Sequence, residues 1–353
     1  MSAILHKVDR LTIQILVDNS IEWFTKLPPG FTHEYPQHLQ HTPPMDTRTG
    51  VPIVDLDNFC CGAHGLSILL VSLVQKFPGV TYSLVFDTGP DARAFERNYA
   101  SLDVTNLASI ERIVLSHWHR DHSGAITTLV KLLKDSKEGS VIVDLHPDRP
   151  LARGIAPPPY DKTIARLPDD PSFEEIEAAG AQIELSCEGH VVGDGAVWVS
   201  GEIPRITEFE GGLLGGMRWF EDEHGKGAWR AEPGLVIFSA CSHAGIINVV
   251  RDAINKFSRP IHMIIGGLHP APAEPGPPRP PTVDSSTKQL RPAPTYILPL
   301  HCSGFQAKIA FEKALGDGCV PGGVGMKIEV QGDPSGEEHI ASLCIVSPTD
   351  KIV

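Results

Sequence analysis

No window of this 353-residue chain approaches the roughly 18 consecutive apolar residues that a membrane-spanning helix needs, so a spanning protein is not expected. The opening stretch, MSAILHKVDRLTIQILVDNS, has no long apolar core followed by a small-residue cleavage site, which argues against a secretory leader. Cysteine is sparse: seven, an odd number, scattered without the spacing of a disulfide framework. Cys60 and Cys61 are adjacent and poorly placed to pair with each other. A reducing cytoplasm is the expected compartment. Positive charge is also short. Thirty Lys and Arg stand against 43 Asp and Glu, a net charge of -13. Such a surface repels polyphosphate, so nucleic acid and anionic membranes are disfavoured as partners and a small-molecule substrate is expected. A metal cluster would make its own surroundings positive, so a small anionic substrate survives that argument. No internal repeat of solenoid length is present.

What is present suits a packed core. Hydrophobic residues make up 41% and charged residues 21%, which excludes global disorder. Residues 11–17, 66–74 and 82–86 read as strands, rich in aliphatic and β-branched side chains and bounded by Gly and Pro. A helix is expected over 91–100, opened by Pro90-Asp91. A short strand over 113–115, a helix over 125–133 and a strand over 141–145 follow. Further on, an acidic helix is expected over 173–179 and strands over 182–187, 196–200 and 235–239. The last third alternates: helix 245–255, strands 261–265 and 296–300, helix 304–315, then strands 327–330 and 341–346. This order predicts an α/β fold of two packed sheets flanked by helices in one domain spanning 1–353. The run PAPAEPGPPRPP cannot be helix or central strand. It marks a loop insertion at about 270–294, either an inert surface loop or one overhanging a site.

The strongest chemical signal is Ser116-His117-Trp118-His119-Arg120-Asp121-His122, directly after an apolar strand. Imidazole and carboxylate together suit zinc and similar cations, with manganese or iron as alternatives. In a turn at a strand end, His117 and His119 can point one way, and Asp121 and His122 toward an adjacent position. That arrangement serves two zinc ions a few ångströms apart. Such a pair can share a hydroxide, lower its pKa and polarise the bond it attacks. Trp118, between ligands, is expected to pack. His33, His38 and His41 lie in a Pro-rich polar stretch and read as loop histidines.

His-x-His-x-Asp-His after a strand resembles the signature of the metallo-β-lactamase superfamily. The resemblance implies an αββα sandwich with metals at the edge between the sheets. It also implies that Asp87, in the Asp-Thr-Gly turn, is a structural residue bonded near the metal turn. His64-Gly65-Leu66-Ser67, Ser200-Gly201-Glu202-Ile203-Pro204-Arg205, Cys241-Ser242-His243-Ala244-Gly245, Gly266-Gly267-Leu268-His269 and His301-Cys302-Ser303-Gly304 narrow it. In that order they are similar to the branch of the dihydropterin ribofuranosylaminobenzene phosphate synthases. The chain departs from that branch at Ala63, where Glu is usual, and at Ser123-Gly124-Ala125 after the metal turn.

The resemblance also implies His301 and His243 as metal ligands. The bridging Asp of many members is replaced by Ala240 and Cys241. Cys241 is either a thiolate ligand or a small buried residue, and His190 is either a further ligand or a solvent-facing histidine. Glu202, Arg205, His269 and His64 are expected to contact substrate. Arg205 would grip an anion through its planar fork, or Glu202 and Arg205 would form a structural salt bridge. The expected activity is hydrolysis of a small cyclic amide, lactone or ester by metal-bound hydroxide, with Asp121 both ligating and orienting. Pterin-linked phosphoribosyl transfer, phosphoester hydrolysis and a non-catalytic metal-binding module are the alternatives.

Overall fold

A computed structural model describes residues 5, 8–41, 43–74, 80–102, 104, 109–136, 139–204, 206–207, 215–231, 240–257, 261–268, 294–331 and 343–345. Strands β1 (Arg10–Val17), β2 (Phe31–Thr32), β3 (Ser67–Val74), β4 (Val80–Phe86), β5 (Ile110–Val114) and β6 (Val141–Leu145) belong to one large sheet. With β9 (Ala181–Leu185) and β16 (Lys327–Gln331) they run in the order β2-β16-β1-β3-β4-β5-β6-β9. From β4 to β9 the pairs are parallel; from β16 through β1 and β3 to β4 they are antiparallel.

Both faces of this sheet are apolar because both are covered. Along β3, Ile68 and Leu70 point one way and Leu69 and Val71 the other, the two-residue period of a strand. Leu84 and Phe86 in β4 join Ile68 and Leu70, whereas Val85 joins Leu69. The second set packs on helices Ala92–Ser101, Ile126–Ser136 and Phe173–Ala178, through Phe95, Leu129, Leu133 and Ile176. The first set faces β10 (Glu188–Val192), β11 (Val197–Gly201), β14 (Met263–Gly266) and β15 (Tyr296–Pro299) through Val197, Val199, Ile265 and Leu298. Ile264 and Ile297 of β14 and β15 turn outward against helices Ile246–Phe257 and Phe305–Leu315. Each such fully buried aliphatic contributes about 1.5–3 kcal/mol. The layers are therefore helix, sheet, sheet, helix, as the pattern of apolar residues predicts.

Among the described residues the second sheet comprises β10-β11-β17, with β17 (Leu343–Ile345), and the parallel pair β14-β15. The strand expected over 235–239 and the Pro-rich loop lie outside the described residues. A four-stranded sheet β13-β12-β7-β8 has no counterpart in the sequence reading. It joins β7 (Arg153–Ile155), β8 (Ala165–Arg166), β12 (Gly216–Glu221) and β13 (Gly227–Ala231). Its strands are short and largely charged or aromatic, without an apolar run. A second departure is the helix Glu34–Gln40, where loop was expected. Pro36 sits in its first turn, where a missing N–H costs nothing. His33 is buried and His38 lies 3.1 Å from Glu34, so neither is a free loop histidine.

Candidate metal centre

β5 and β4 end side by side, and the site begins there. Leaving β4, the chain turns at Asp87, whose φ of 56° is left-handed. Thr88 returns to the turn after β5 through its N–H and Oγ1, both donating to the His122 carbonyl at 2.7 and 2.9 Å. The residues after β5 curl into a short helix, Arg120–Ser123. Two glycines permit this packing. A Cβ on Gly65 would meet the Asp121 carbonyl oxygen at 2.3 Å, and one on Gly124 the Pro90 carbonyl oxygen at 1.8 Å. Cys241 and His243 come from the turn before helix Ile246–Phe257, and His301 from just after β15. Ser242 and His301 are also left-handed, with φ of 51° and 42°. Backbone strain of this kind concentrates where several turns are held together by their surroundings.

The structure brings His117, His119, Asp121, His122, His243 and His301 together, and adds Cys241. Donor atoms of Asp121, His122, Cys241 and His301 lie within 4.8 Å of one another; so do those of His117, Cys241 and His243. Cys241 belongs to both groups. His119 completes the second, its ring centroid 4.2 Å from His117 and 5.2 Å from His243.

The proton arrangement decides whether these residues fit a cation. Asp87 is wholly buried and accepts at 2.7 Å from the Ser116 N–H, from Ser116 Oγ and from His122 Nδ1. Because Ser116 Oγ gives its proton to Asp87, it accepts from His117 Nδ1 at 2.8 Å. His301 Nδ1 donates to Asn19 Oδ1 at 3.0 Å. All three rings therefore carry hydrogen on Nδ1 and expose a lone pair on Nε2. His122 Nε2 lies 3.2 Å from Cys241 Sγ, and His301 Nε2 3.2 Å from Asp121 Oδ2. His117 Nε2 is buried with no hydrogen-bond partner. Lone pairs aimed inward at a buried carboxylate and thiol are a cation-binding arrangement, and the donor set fits a divalent metal.

Electrostatics agree at His117, His301 and Asp121; at His122, burial is outweighed by the Asp121 and Asp87 carboxylates, which raise its pKa. Burial, together with His119, His122 and His243, holds His117 well below the ordinary imidazole range. Burial likewise pushes His301 down to about 4, despite Asp121 beside it. Burial opposes charge on Asp121, yet His122, His301 and His119 outweigh it and hold the carboxyl well below its usual range. Neutral imidazole and ionised carboxylate are the ligating forms. Burial and the neighbouring Cys302 push the Cys241 thiol up, a cost that a bound cation would offset.

Other expected residues fall elsewhere. His64 sits at the exposed rim, its Nε2 3.6 Å from Asp121 Oδ2, while Asn19 Nδ2 donates to its Nδ1 at 3.1 Å. Its proton is thus on the side facing Asp121, the opposite arrangement from the inner histidines. His190 is no part of the cluster: its Nε2 pairs with Asp144 at 2.8 Å. Glu202 groups with His146 and Cys187. Arg205 and His269 lie outside the described residues. Trp118 packs against Phe173 and donates to the His146 carbonyl. Three residues went unforeseen. Asp18 accepts from the His301 N–H at 2.6 Å, and Asn19 orients two histidines. Their signal was their place directly after the first strand. Buried Arg153 opposes positive charge on both His117 and His122, although Asp121 and Asp87 raise His122 overall, and nothing in its short strand foretold it.

Comparison with known proteins agrees with this geometry, although no family model matches. The chain is 30% identical over 264 residues to the 7,8-dihydropterin-6-methyl-4-(β-D-ribofuranosyl)-aminobenzene-5'-phosphate synthase of Methanocaldococcus jannaschii, spanning 70% of this chain and 83% of the relative. It is 27% identical over 250 residues to an uncharacterised protein of the same organism, spanning 69% and 85%. A solved metal-dependent hydrolase of the β-lactamase superfamily superposes with a TM-score of 0.58 at 17% identity, covering 91% of this chain and 99% of that one.

Proposed function

Since this chain belongs to the metallo-β-lactamase superfamily, in the branch of the dihydropterin ribofuranosylaminobenzene phosphate synthase, we propose that it is a binuclear metal-dependent hydrolase of a small molecule. One observation carries the reading: two groups of inward-facing donors that share Cys241. His117, His119 and His243 would hold one divalent ion, and Asp121, His122 and His301 the other, with Cys241 between them. Zinc suits the mixed nitrogen, oxygen and sulfur donors, and manganese or iron would also fit the histidines and carboxylate. When bound, such a pair supplies Lewis acidity that acidifies water and stabilises negative charge on the substrate.

The chain's own residues supply orientation. Asp87 holds His117, through Ser116, and His122 in one tautomer, so neither ring can turn away. Asp121, on the seam, would both ligate and orient the attacking water by accepting its hydrogen bond. His64 at the rim presents an Nε2–H donor to a substrate oxygen. Arg205 and His269 remain candidates for substrate contact, whereas Glu202 groups with His146 and Cys187 instead. The substrate class we favour is a cyclic amide, lactone or ester, because a net charge of -13 disfavours polyanions at long range. A second reading, pterin-linked phosphoribosyl transfer or phosphoester cleavage, is favoured by the 30% identity to the synthase.

The test is a comparison of kcat/KM for lactones and lactams with that for bis-nitrophenyl phosphate and a pterin phosphate, with metal content measured on the same protein. The expected result is one to two equivalents of metal at this cluster and faster opening of the cyclic carbonyls. A preference of about tenfold for the phosphates, roughly 1.4 kcal/mol in the transition state, would reverse the substrate assignment. Full turnover without metal would end the metallohydrolase reading.

A further inference from the structure

A second group of mixed donors lies outside this centre. His146, Cys187 and Glu202 each offer one ligand atom, and the three atoms lie within 4.8 Å of one another. They come from three separate strand ends. His146 follows β6, Cys187 lies between β9 and β10, and Glu202 follows β11. The backbone locks these ends together: the Ser186 N–H donates to the Leu145 carbonyl at 3.1 Å, and the Glu202 N–H to the Cys187 carbonyl at 3.0 Å. Gly201 makes the second contact possible. Its φ is +67°, and a Cβ there would meet the Cys187 carbonyl oxygen at 2.6 Å. The three side chains are therefore positioned by the sheet and not by one flexible loop.

His146 is the informative member. It is 5% exposed. Its Nδ1 accepts from the Asp148 N–H at 3.1 Å, while its Nε2 is buried with no hydrogen-bond partner. A buried polar atom left so costs about 1–3 kcal/mol unless something satisfies it. Cys187 and Glu202 are only partly buried, so the group opens toward solvent on one side.

We propose that His146, Cys187 and Glu202 form an additional zinc site, separate from the His117–His301 centre. One nitrogen, one sulfur and one oxygen ligand match the borderline character of Zn²⁺, and the open side leaves a fourth position for water. Burial holds His146 down to about 4, so the ring is neutral at physiological pH and carries its one proton on Nε2 while Nδ1 accepts from the Asp148 N–H. Loading at Nε2 moves the ring proton to Nδ1 and turns the Asp148 amide away; the Cys187 proton goes to solvent. The site does not rest on the proposed reaction. It ties β6, the β9–β10 turn and β11 together, so its role is to staple the large sheet to the second one beside the catalytic edge.

The experiment counts metal. Full-length protein is stripped with chelator, reloaded with Zn²⁺, passed through gel filtration and analysed by elemental mass spectrometry. Cys187→Ser is expected to retain about one equivalent fewer than wild type, with an unchanged circular dichroism spectrum. His146→Asn, which keeps an acceptor for the Asp148 amide, should show the same deficit and serves if Cys187→Ser fails to fold. With Co²⁺, thiolate charge-transfer absorbance should fall in Cys187→Ser and persist in Cys241→Ser. His119→Ala should lose metal from the central cluster yet keep the Cys187-dependent equivalent, which separates this site from the central one. Equal zinc counts and identical cobalt spectra in wild type and Cys187→Ser would overturn the proposal.

Discussion

Asp87 illustrates how one side chain can govern several others. Its carboxylate receives the Ser116 amide, the Ser116 hydroxyl and the His122 ring, and through Ser116 it also sets the His117 tautomer. Asp87→Ala would leave a buried N–H and two imidazoles without their anchor. Metal affinity should fall about 10- to 100-fold, the usual consequence of losing the group behind a ligating histidine. Competition with a chromophoric chelator measures this directly. Unchanged affinity would mean that the rings are held by packing alone. The position of Asp87, in a turn far upstream of the histidines, was legible only through its resemblance to a known motif.

Single elements also carry charge across the fold. His190 in β10 reaches Asp144 in β6, whose carboxylate also takes Arg112 of β5 at 3.0 Å. The hydrogen bond to Asp144 raises the His190 pKa above its ordinary 6.5, against a smaller effect of burial. A histidine raised by folding stabilises the protein fully below its unfolded pKa and loses that contribution as pH climbs through the folded value. His190→Gln should therefore lower Tm more at about pH 5.5 than at about pH 8.5, as differential scanning fluorimetry can show. A gap that is constant with pH would assign His190 a packing role only. The element reading of the sequence was good where aliphatic and β-branched residues run together, as in β3 and β4, and poor for β12 and β13. Those strands pair Trp219 with Trp229 and Arg218 with Arg230, so no apolar run marks them.

At the scale of the whole molecule, the candidate centre sits where both sheets end, with ligands from the turn after β5, from the turn before helix Ile246–Phe257 and from just after β15. A cation bound there is held only by the folded chain, so it should stabilise the fold by mass action. At free metal about a hundred times Kd, the gain is about 2.7 kcal/mol per site. Removing metal with chelator should lower Tm by several degrees, and adding zinc back should restore it. Identical melting curves with and without chelator would show that the ligand cluster is not loaded.

The motif His117 to His122 was readable from the chain alone because four ligand-type residues fall within one turn, where strand geometry already dictates that neighbours diverge to adjacent positions. Apolar runs and the order of elements likewise sufficed for the layered architecture, since burial on both faces of a sheet writes a near-continuous apolar run into each strand. The remaining choices were made by tertiary structure. His243 and His301 reach the centre while His190 turns to Asp144, though all three are histidines in or beside elements that read alike in the sequence. Cys241 stands between the two donor groups only because the turn before helix Ile246–Phe257 is packed against the turn after β5. Arg153 and the His146–Cys187–Glu202 group have no local signature, because their neighbours are set by how distant strand ends meet. Sequence spacing records what one turn can do; which turns face each other is decided by packing the two sheets.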